Sequence, residues 1–570
     1  MKKILFALFI IFLTFSAALL AAENVKVEIK GLDSKALKNA QDRLALDLEA
    51  YGSVLSAVEI NHFSKQAPAE IQEAIKPFGF FKSQVTSKIT QTKKANWLAE
   101  FFVERGPELR VKQITLDVKG PGELNPELQK YLKHFPIKQD DILQIEVYNQ
   151  VKEDLLQLLF NQGYIRANFE KNEIQINISK NSATIDLHLQ TGERFYFGSF
   201  LFNHSHYSPA FLQKFVRQPA DEPFSNEKLY KMQEEISASQ YFKRVEMTPE
   251  LDQPVDHQIP VNVKVTDRSS QKYRVALGYG TFTGVRTTLG FDIGRITDTG
   301  QYLNAELKLS SVLSGLAMKY FIPGKNPLTD TYSIGANLQR FLPKNGSSTS
   351  REVVGSSIKG WGDWQTTTSL NYLNESFKVV DEPSHVSQAI YPSFNLSRTK
   401  ANNLIFPTKG SKVSLQLQAA DKRLFSRNSF FQAELKGKYI FSPIKSSRVI
   451  LRGDLGYTVV HDLNYLPLTL RYFTGGLGSV RGYSYSSLGP GRYMKVGSVE
   501  YQHRIYGNWG GAVFYDAGTA SNNFNSAVNR GIGVGVIYKS ILGPVQLYIS
   551  RAESTKGKPL RIDINLGSDF

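Results

Sequence analysis

The chain has no cysteine among its 570 residues. A disulfide framework, a lipidated N-terminal cysteine and a thiolate metal site are therefore excluded. Histidine is scarce, with nine in all. No His-Glu-x-x-His pair, nucleophile elbow or P-loop occurs, so the commonest hydrolase and nucleotide-enzyme signatures are missing. The chain reads as a non-enzyme, with neither metal nor cofactor expected. Beyond Leu20 no apolar run approaches the ~18 residues that a membrane-crossing helix needs. A mature chain that crosses a membrane must then do so as a closed barrel. Basic tracts are missing too. The formal charge is +16, but lysine and arginine are spread along the whole length. That speaks against nucleic acid as a partner and fits attraction to an anionic membrane surface.

What is present begins with an export signal. Met1-Lys2-Lys3 is a basic start, Ile4 to Leu20 an apolar core, and Ala21-Ala22 before Glu23 a cleavage point. This predicts a removed segment 1–22; the alternative is a retained N-terminal anchor.

Residues 23 to about 269 mix helix and strand, and they repeat. A helix ending at Ile75 leads to Gly79-Phe80-Phe81 and a strand, Ser83 to Ile89. A helix from Val151 to Phe160 leads to Gly163-Tyr164-Ile165 and a strand toward Ile176. A helix from Glu227 to Ser239 leads to Gln240-Tyr241-Phe242. The anchor points lie 84 and 77 residues apart, a spacing that fits a small folding unit. Each unit closes with a second strand: Trp97 to Val103, Ala183 to Leu189, and Val261 to Val265. Gly106-Pro107 and Gly192-Glu193 are the handover points. The expectation is three α+β modules, 23–105, 106–192 and 193–269, each a small mixed sheet with helices on one face. One larger α+β domain is the alternative. Exposed sheet edges in such modules can accept an extended segment of another chain.

From Lys272 the period becomes two. Tyr273, Val275, Leu277 and Tyr279 alternate with Arg274, Ala276, Gly278 and Gly280, and Val413 to Ala419 alternate in the same way. One face is apolar and the other polar, as lipid and lumen demand. In the last strand Leu560, Ile562, Ile564, Leu566 and Phe570 share one face. A soluble sandwich shows similar alternation, but the export signal, the Tyr and Phe near strand ends and this final strand favour the membrane. Segment 270–570 is expected to form a transmembrane barrel of about sixteen antiparallel strands.

One connection breaks the pattern. From His461 to Lys495 there is no period, and Gly475-Gly476-Leu477-Gly478-Ser479-Val480-Arg481-Gly482-Tyr483 holds a single arginine among glycines. Long connections without structure of their own are usually functional or disordered. An arginine inside a barrel needs a carboxylate, and acidic residues lie on the strands that follow.

These motifs together resemble the outer-membrane protein assembly and translocation superfamily, and within it the TamA branch. Val480-Arg481-Gly482-Tyr483 is similar to the sixth-loop motif, and Phe514 to Gly518 to its partner strand. Gly531 to Gly535 through Leu542-Gly543-Pro544 resembles the penultimate hairpin, Phe406 to Gly410 a periplasmic turn, and Gly278 to Thr281 the first strand. The third module departs from the other two, with Gln240 in place of glycine, so its joint is expected to differ.

The resemblance implies three polypeptide-transport-associated (POTRA) modules and a sixteen-stranded barrel in the bacterial outer membrane. It implies that Arg481 enters the lumen and pairs with Asp516 and Glu500. That pairing would pin the loop, take part in handling clients, or do both. It implies a seam between first and last strands at Gly278, Tyr279, Gly567 and Phe570, with Gly278 and Gly567 as its weak points, since glycine lowers packing. Clients would be unfolded outer-membrane proteins of the autotransporter kind. The partners would be a TamB-like protein anchored in the inner membrane and outer-membrane lipid, with phospholipid transport a further activity. The rivals are a two-partner secretion transporter exporting one dedicated protein, and a passive porin.

Overall fold

The computed structural model describes residues 24–93, 96–203, 205–216, 222–280, 284–403, 405–540 and 543–566. The export segment 1–22 lies outside them. The chain folds as two compact units. One comprises Met1–Leu201, Gln218–Lys231 and Thr248–Val261, and the other Phe202–Arg217, Met232–Met247 and Asn262–Phe570.

The first unit opens with strand Val25–Lys30 and helices Ser34–Tyr51 and Ala57–Ile75, followed by strands Gln84–Lys93 and Asn96–Glu104. Asp33 caps the first helix. Ser56 and Glu59 form a reciprocal capping box on the second, satisfying amides that a helix start otherwise leaves open. The strand nearest the end, Asn96–Glu104, is central: it pairs parallel with Val25–Lys30 and antiparallel with Gln84–Lys93. Residues 110–190 repeat this plan. Ser182–Gln190 lies between Arg110–Lys119, parallel, and Asn168–Asn177, antiparallel. Helix Ile145–Asn161 buries Tyr148, Val151, Leu155 and Leu159, the i, i+3, i+7, i+11 stripe that an amphipathic helix turns to its core. A third sheet has the same order: Tyr196–Asn203, Gln258–Asp267, Phe242–Pro249.

The anchor aromatics Phe80, Tyr164 and Tyr241 are all buried. Gly79 and Gly163, just before the first two, are left-handed, with φ of 91° and 92°. Each hands its carbonyl to the next segment. Leu109 N donates to Gly79 O at 2.9 Å, and Phe195 N donates to Gly163 O at 2.8 Å. At the third anchor Gln240 is not left-handed, and the acceptor moves by one residue: Arg268 N donates to Tyr241 O at 3.0 Å.

The second unit is dominated by one antiparallel sheet of sixteen strands in sequence order, from Gln271–Gly280 to Leu560–Leu566. The strands run from seven to eighteen residues, many of them longer than the ~10 that simply cross a bilayer. Hydropathy is inverted relative to a soluble core. On the first strand Tyr273, Val275 and Leu277 are 70%, 70% and 73% exposed, while Glu375, Gln418, Gln432, Ser498 and Asp516 are buried. Apolar side chains face outward and polar ones the lumen, as lipid requires.

Candidate functional site

The connection between the eleventh strand, Ser447–Val460, and the twelfth, Tyr493–Tyr506, has short structure of its own. It holds 3-10 turns at Leu463–Tyr465 and Leu468–Leu470, and a small ribbon pairing Tyr472–Thr474 with Leu488–Gly491. A reading by period alone could not see it, because its ribbon strands are three and four residues long. At its tip Gly476 N donates to Val480 O at 3.0 Å and Gly475 N to Ser479 Oγ at 2.7 Å, closing a turn that presents Arg481.

Arg481 is 2% exposed, and its two acceptors sit on adjacent strands. Asp516 belongs to the thirteenth strand, Trp509–Ser521, and Glu500 to the twelfth. Arg481 Nε donates to Asp516 Oδ2 and Nη2 to Asp516 Oδ1, both at 2.8 Å, a two-pronged grip, and Nη1 donates to Glu500 Oε2. The backbone amide of Arg481 also donates to Asp516 Oδ2, at 2.9 Å. Side chain and main chain are thus held by one carboxylate. Such a planar fork suits arginine and not lysine.

Surrounding groups complete the cluster. Ser498 stands directly across the ladder from Asp516 and donates its hydroxyl to Oδ1 at 2.6 Å. Tyr548 OH donates to Glu500 Oε1 at 2.6 Å, and Gln502 Nε2 donates to the same oxygen. Arg452 donates to Ser498 Oγ and to Leu477 O, each at 3.0 Å, and lies 3.7 Å from Asp516. Two guanidiniums and two carboxylates share the cluster, so no net charge is buried. The Arg481 guanidinium lies 3.5 Å from the centre of the Phe514 ring and 5.0 Å from that of Tyr548, adding cation–π attraction.

The other motif residues pack around this core. Val480 is fully buried with Tyr483 and Ala552. Gly482 is left-handed at φ 94°, its Cα facing the backbone of Arg551 and Ala552 so closely that a β-carbon would stand 2.9 Å from it. Of the four seam positions, Gly278 and Tyr279 stand on the first barrel strand opposite Arg286 and Val285. Gly567 and Phe570 lie outside the described residues.

A second anchorage gave no motif to read. Glu375, on the seventh strand, accepts from Thr469 N at 3.2 Å and from the Thr469 hydroxyl. The connection also carries a second buried arginine, Arg471, which donates to Leu466 O at 3.1 Å and Leu463 O at 2.7 Å. The loop is therefore tied to the wall at both its base and its tip. Chemically the arrangement is a lock: it holds a segment in the lumen.

Comparison with known proteins places this geometry. Residues 258–570 match the family model described as the Omp85 superfamily domain, and residues 26–105 match the model described as POTRA domain TamA domain 1. The outer membrane protein assembly factor BamA of Neisseria meningitidis is 21% identical over 483 residues. The match covers 77% of this chain, which spans 58% of that relative's length. The crystal structure of BamA from Haemophilus ducreyi lacking POTRA domains 1–3 superposes with a TM-score of 0.67 at 17% identity, covering 80% of this chain and 99% of that one. That likeness speaks for the fold.

Proposed function

We propose that this chain, which belongs to the Omp85 superfamily, is an insertase that assembles autotransporter-like barrel proteins together with a TamB-type partner. It is a non-enzymatic protein, integral to the outer membrane, with its N-terminal modules facing the periplasm. In this reading an export signal, 1–22, precedes three POTRA modules, 23–105, 106–192 and 193–269. The barrel, 270–570, follows. The modules take extended client or partner segments on open sheet edges, for which Gln84–Lys93 and Asn168–Asn177 are available. The match of 26–105 to a TamA first-module family supports this branch. Phospholipid transport along the same bridge is part of the proposal.

One observation carries the reading. Ladders join every pair of consecutive strands in the sixteen-stranded sheet. The first strand, Gln271–Gly280, and the last, Leu560–Leu566, come within 8 Å of each other between Cα atoms. Among the described residues, however, no ladder joins them. A client strand adding at this seam would extend the sheet while it enters the membrane.

The absence of native cysteine allows a clean test. A cysteine pair, one on each seam strand, is oxidised, and insertion of a client barrel into liposomes is measured. Insertion should stop on oxidation and return on reduction. Unimpaired insertion in the oxidised protein rejects the seam. Export of a soluble protein instead of insertion would indicate a two-partner secretion transporter, and a wide, steady, ion-selective conductance a porin.

A further inference from the structure

At the end of the barrel where the chain enters at Gln271, the turns that hold Phe406 and Thr408, Lys445 and Ser446, and Gly507 and Asn508 lie around a cavity of about 160 Å³. Lys445, Arg448, Arg504 and Lys539 line it, and its described lining includes no aspartate or glutamate. Four like charges around one small space repel one another, so the arrangement favours whatever anion enters.

The site is built rather than incidental. Arg448 is 3% exposed. Its Nε donates to Gln502 Oε1 at 2.6 Å, its Nη1 donates to Pro407 O at 2.9 Å, and its plane lies 3.6 Å from the Phe406 ring centre. These contacts fix the direction of the guanidinium. Lys539 approaches the same ring at 5.0 Å. Lys445, Arg504 and Lys539 are exposed at the rim, able to converge on a ligand. Next to them Ile505, Tyr506 and Trp509 are 75%, 82% and 52% exposed. Aromatic residues so placed mark the level of lipid headgroups.

We infer that this cavity binds a phosphate group. A fixed guanidinium supplies a positive charge on one side of the phosphate, and lysines act as point charges on the rest. A free phosphate ion and the headgroup of an anionic phospholipid offer the same chemistry. Gln502 also links the site to the loop lock, because it accepts from Arg448 and donates to Glu500. The inference does not depend on the insertase reading.

The test is calorimetric titration of the full chain in a detergent with an uncharged headgroup. Sodium phosphate is the probe in one arm and dihexanoyl phosphatidylglycerol, below its micellar concentration, in the other. At least one probe should bind saturably. Affinity should fall about tenfold or more in Lys445→Gln/Lys539→Gln and persist in Lys445→Arg/Lys539→Arg. Binding of phosphate alone assigns a free ion, and binding of the lipid, alone or more tightly, assigns a headgroup; both sustain a phosphate site. Heat-dependent electrophoretic mobility reports that each variant's barrel is folded. No saturable binding of either probe overturns the inference, as does equal affinity in the glutamine variant and the parent.

Discussion

The carbonyl oxygen of Arg481 rests against Gly531, in the space that a β-carbon at residue 531 would fill. Gly531 stands directly opposite Asp516 in the neighbouring ladder. The register that brings the carboxylate to the guanidinium therefore also supplies the bare backbone on which the loop lies. Two and four residues on, Gly533 and Gly535 are covered by the rings of Phe514 and Tyr548, the same rings that flank Arg481. An alternating row of three glycines on the lumen face is thus the seat of the lock, and the acidic residues only half describe it.

Gly531→Ala should displace the loop tip without removing any charged group. Overpacking of this kind costs about 1–3 kcal/mol. We expect protease cleavage within 475–483 and a lower denaturant midpoint for the barrel. Gly497→Ala is the control, because nothing lies within 4 Å of a β-carbon there. If the two variants behave alike, the seat is not specific.

Arg481→Ala leaves Asp516 and Glu500 buried with Arg452, 3.7 Å from Asp516, as the remaining nearby cation among the described residues. Breaking a buried pair from one side costs about 3–5 kcal/mol. Arg481→Lys should fall between that variant and the parent, since an ammonium cannot hold both Asp516 oxygens and Glu500 in one plane. Unfolding free energies in micelles decide. A lysine variant as stable as the parent would show that charge alone matters and that the fork does not.

Much of this was legible in the sequence, for a physical reason. Period-two alternation is a local property, so sixteen strands and their lipid faces could be read one segment at a time. Arg481 stood out because an arginine among glycines has few explanations. Asp516 and Glu500 came from resemblance, and so did the Gly531 to Gly535 hairpin. Strand parity could have added Ser498, Gln502 and Phe514, which share the lumen face with them. Glu375, Arg471 and Thr469 were not legible. Their contacts span up to 94 residues and are set by how the loop folds back on the wall, which no local pattern records. The small ribbon inside the connection is illegible for another reason: its strands, three and four residues long, are too short to show a period.

Glu375 tests whether the base of the loop is held independently of its tip. Removing its carboxylate leaves the Thr469 amide and hydroxyl without their acceptor, at about 1–3 kcal/mol for such a loss. Glu375→Ala should expose the segment 463–474 to protease while 475–483 stays protected by Arg481. Combined with Arg481→Ala, its effect should be additive if the anchorages are separate. Loss of protection across the whole connection in the single variant would mean that the loop moves as one body.

The joints between modules give the last prediction. Gly79 and Gly163 adopt the left-handed region, where a β-carbon costs about 1–2 kcal/mol. Their surroundings differ. A β-carbon at Gly163 would stand 2.5 Å from Phe195 O, whereas at Gly79 the nearest atoms are 3.0 Å away. Gly163→Ala should therefore destabilise its joint more than Gly79→Ala does. Both should weaken the hydrogen bond that passes the chain onward, Phe195 N to Gly163 O and Leu109 N to Gly79 O. Gln240 is not left-handed, so Gln240→Gly gains nothing from relieved strain and loses about 0.5–1 kcal/mol to backbone entropy. Hydrogen exchange at the amides of Leu109, Phe195 and Arg268 reads the three joints separately in the full chain. Faster exchange is expected at Phe195 in Gly163→Ala and at Leu109 in Gly79→Ala. Slower exchange at Arg268 in Gln240→Gly would contradict the assignment of the third joint as built on a different conformation.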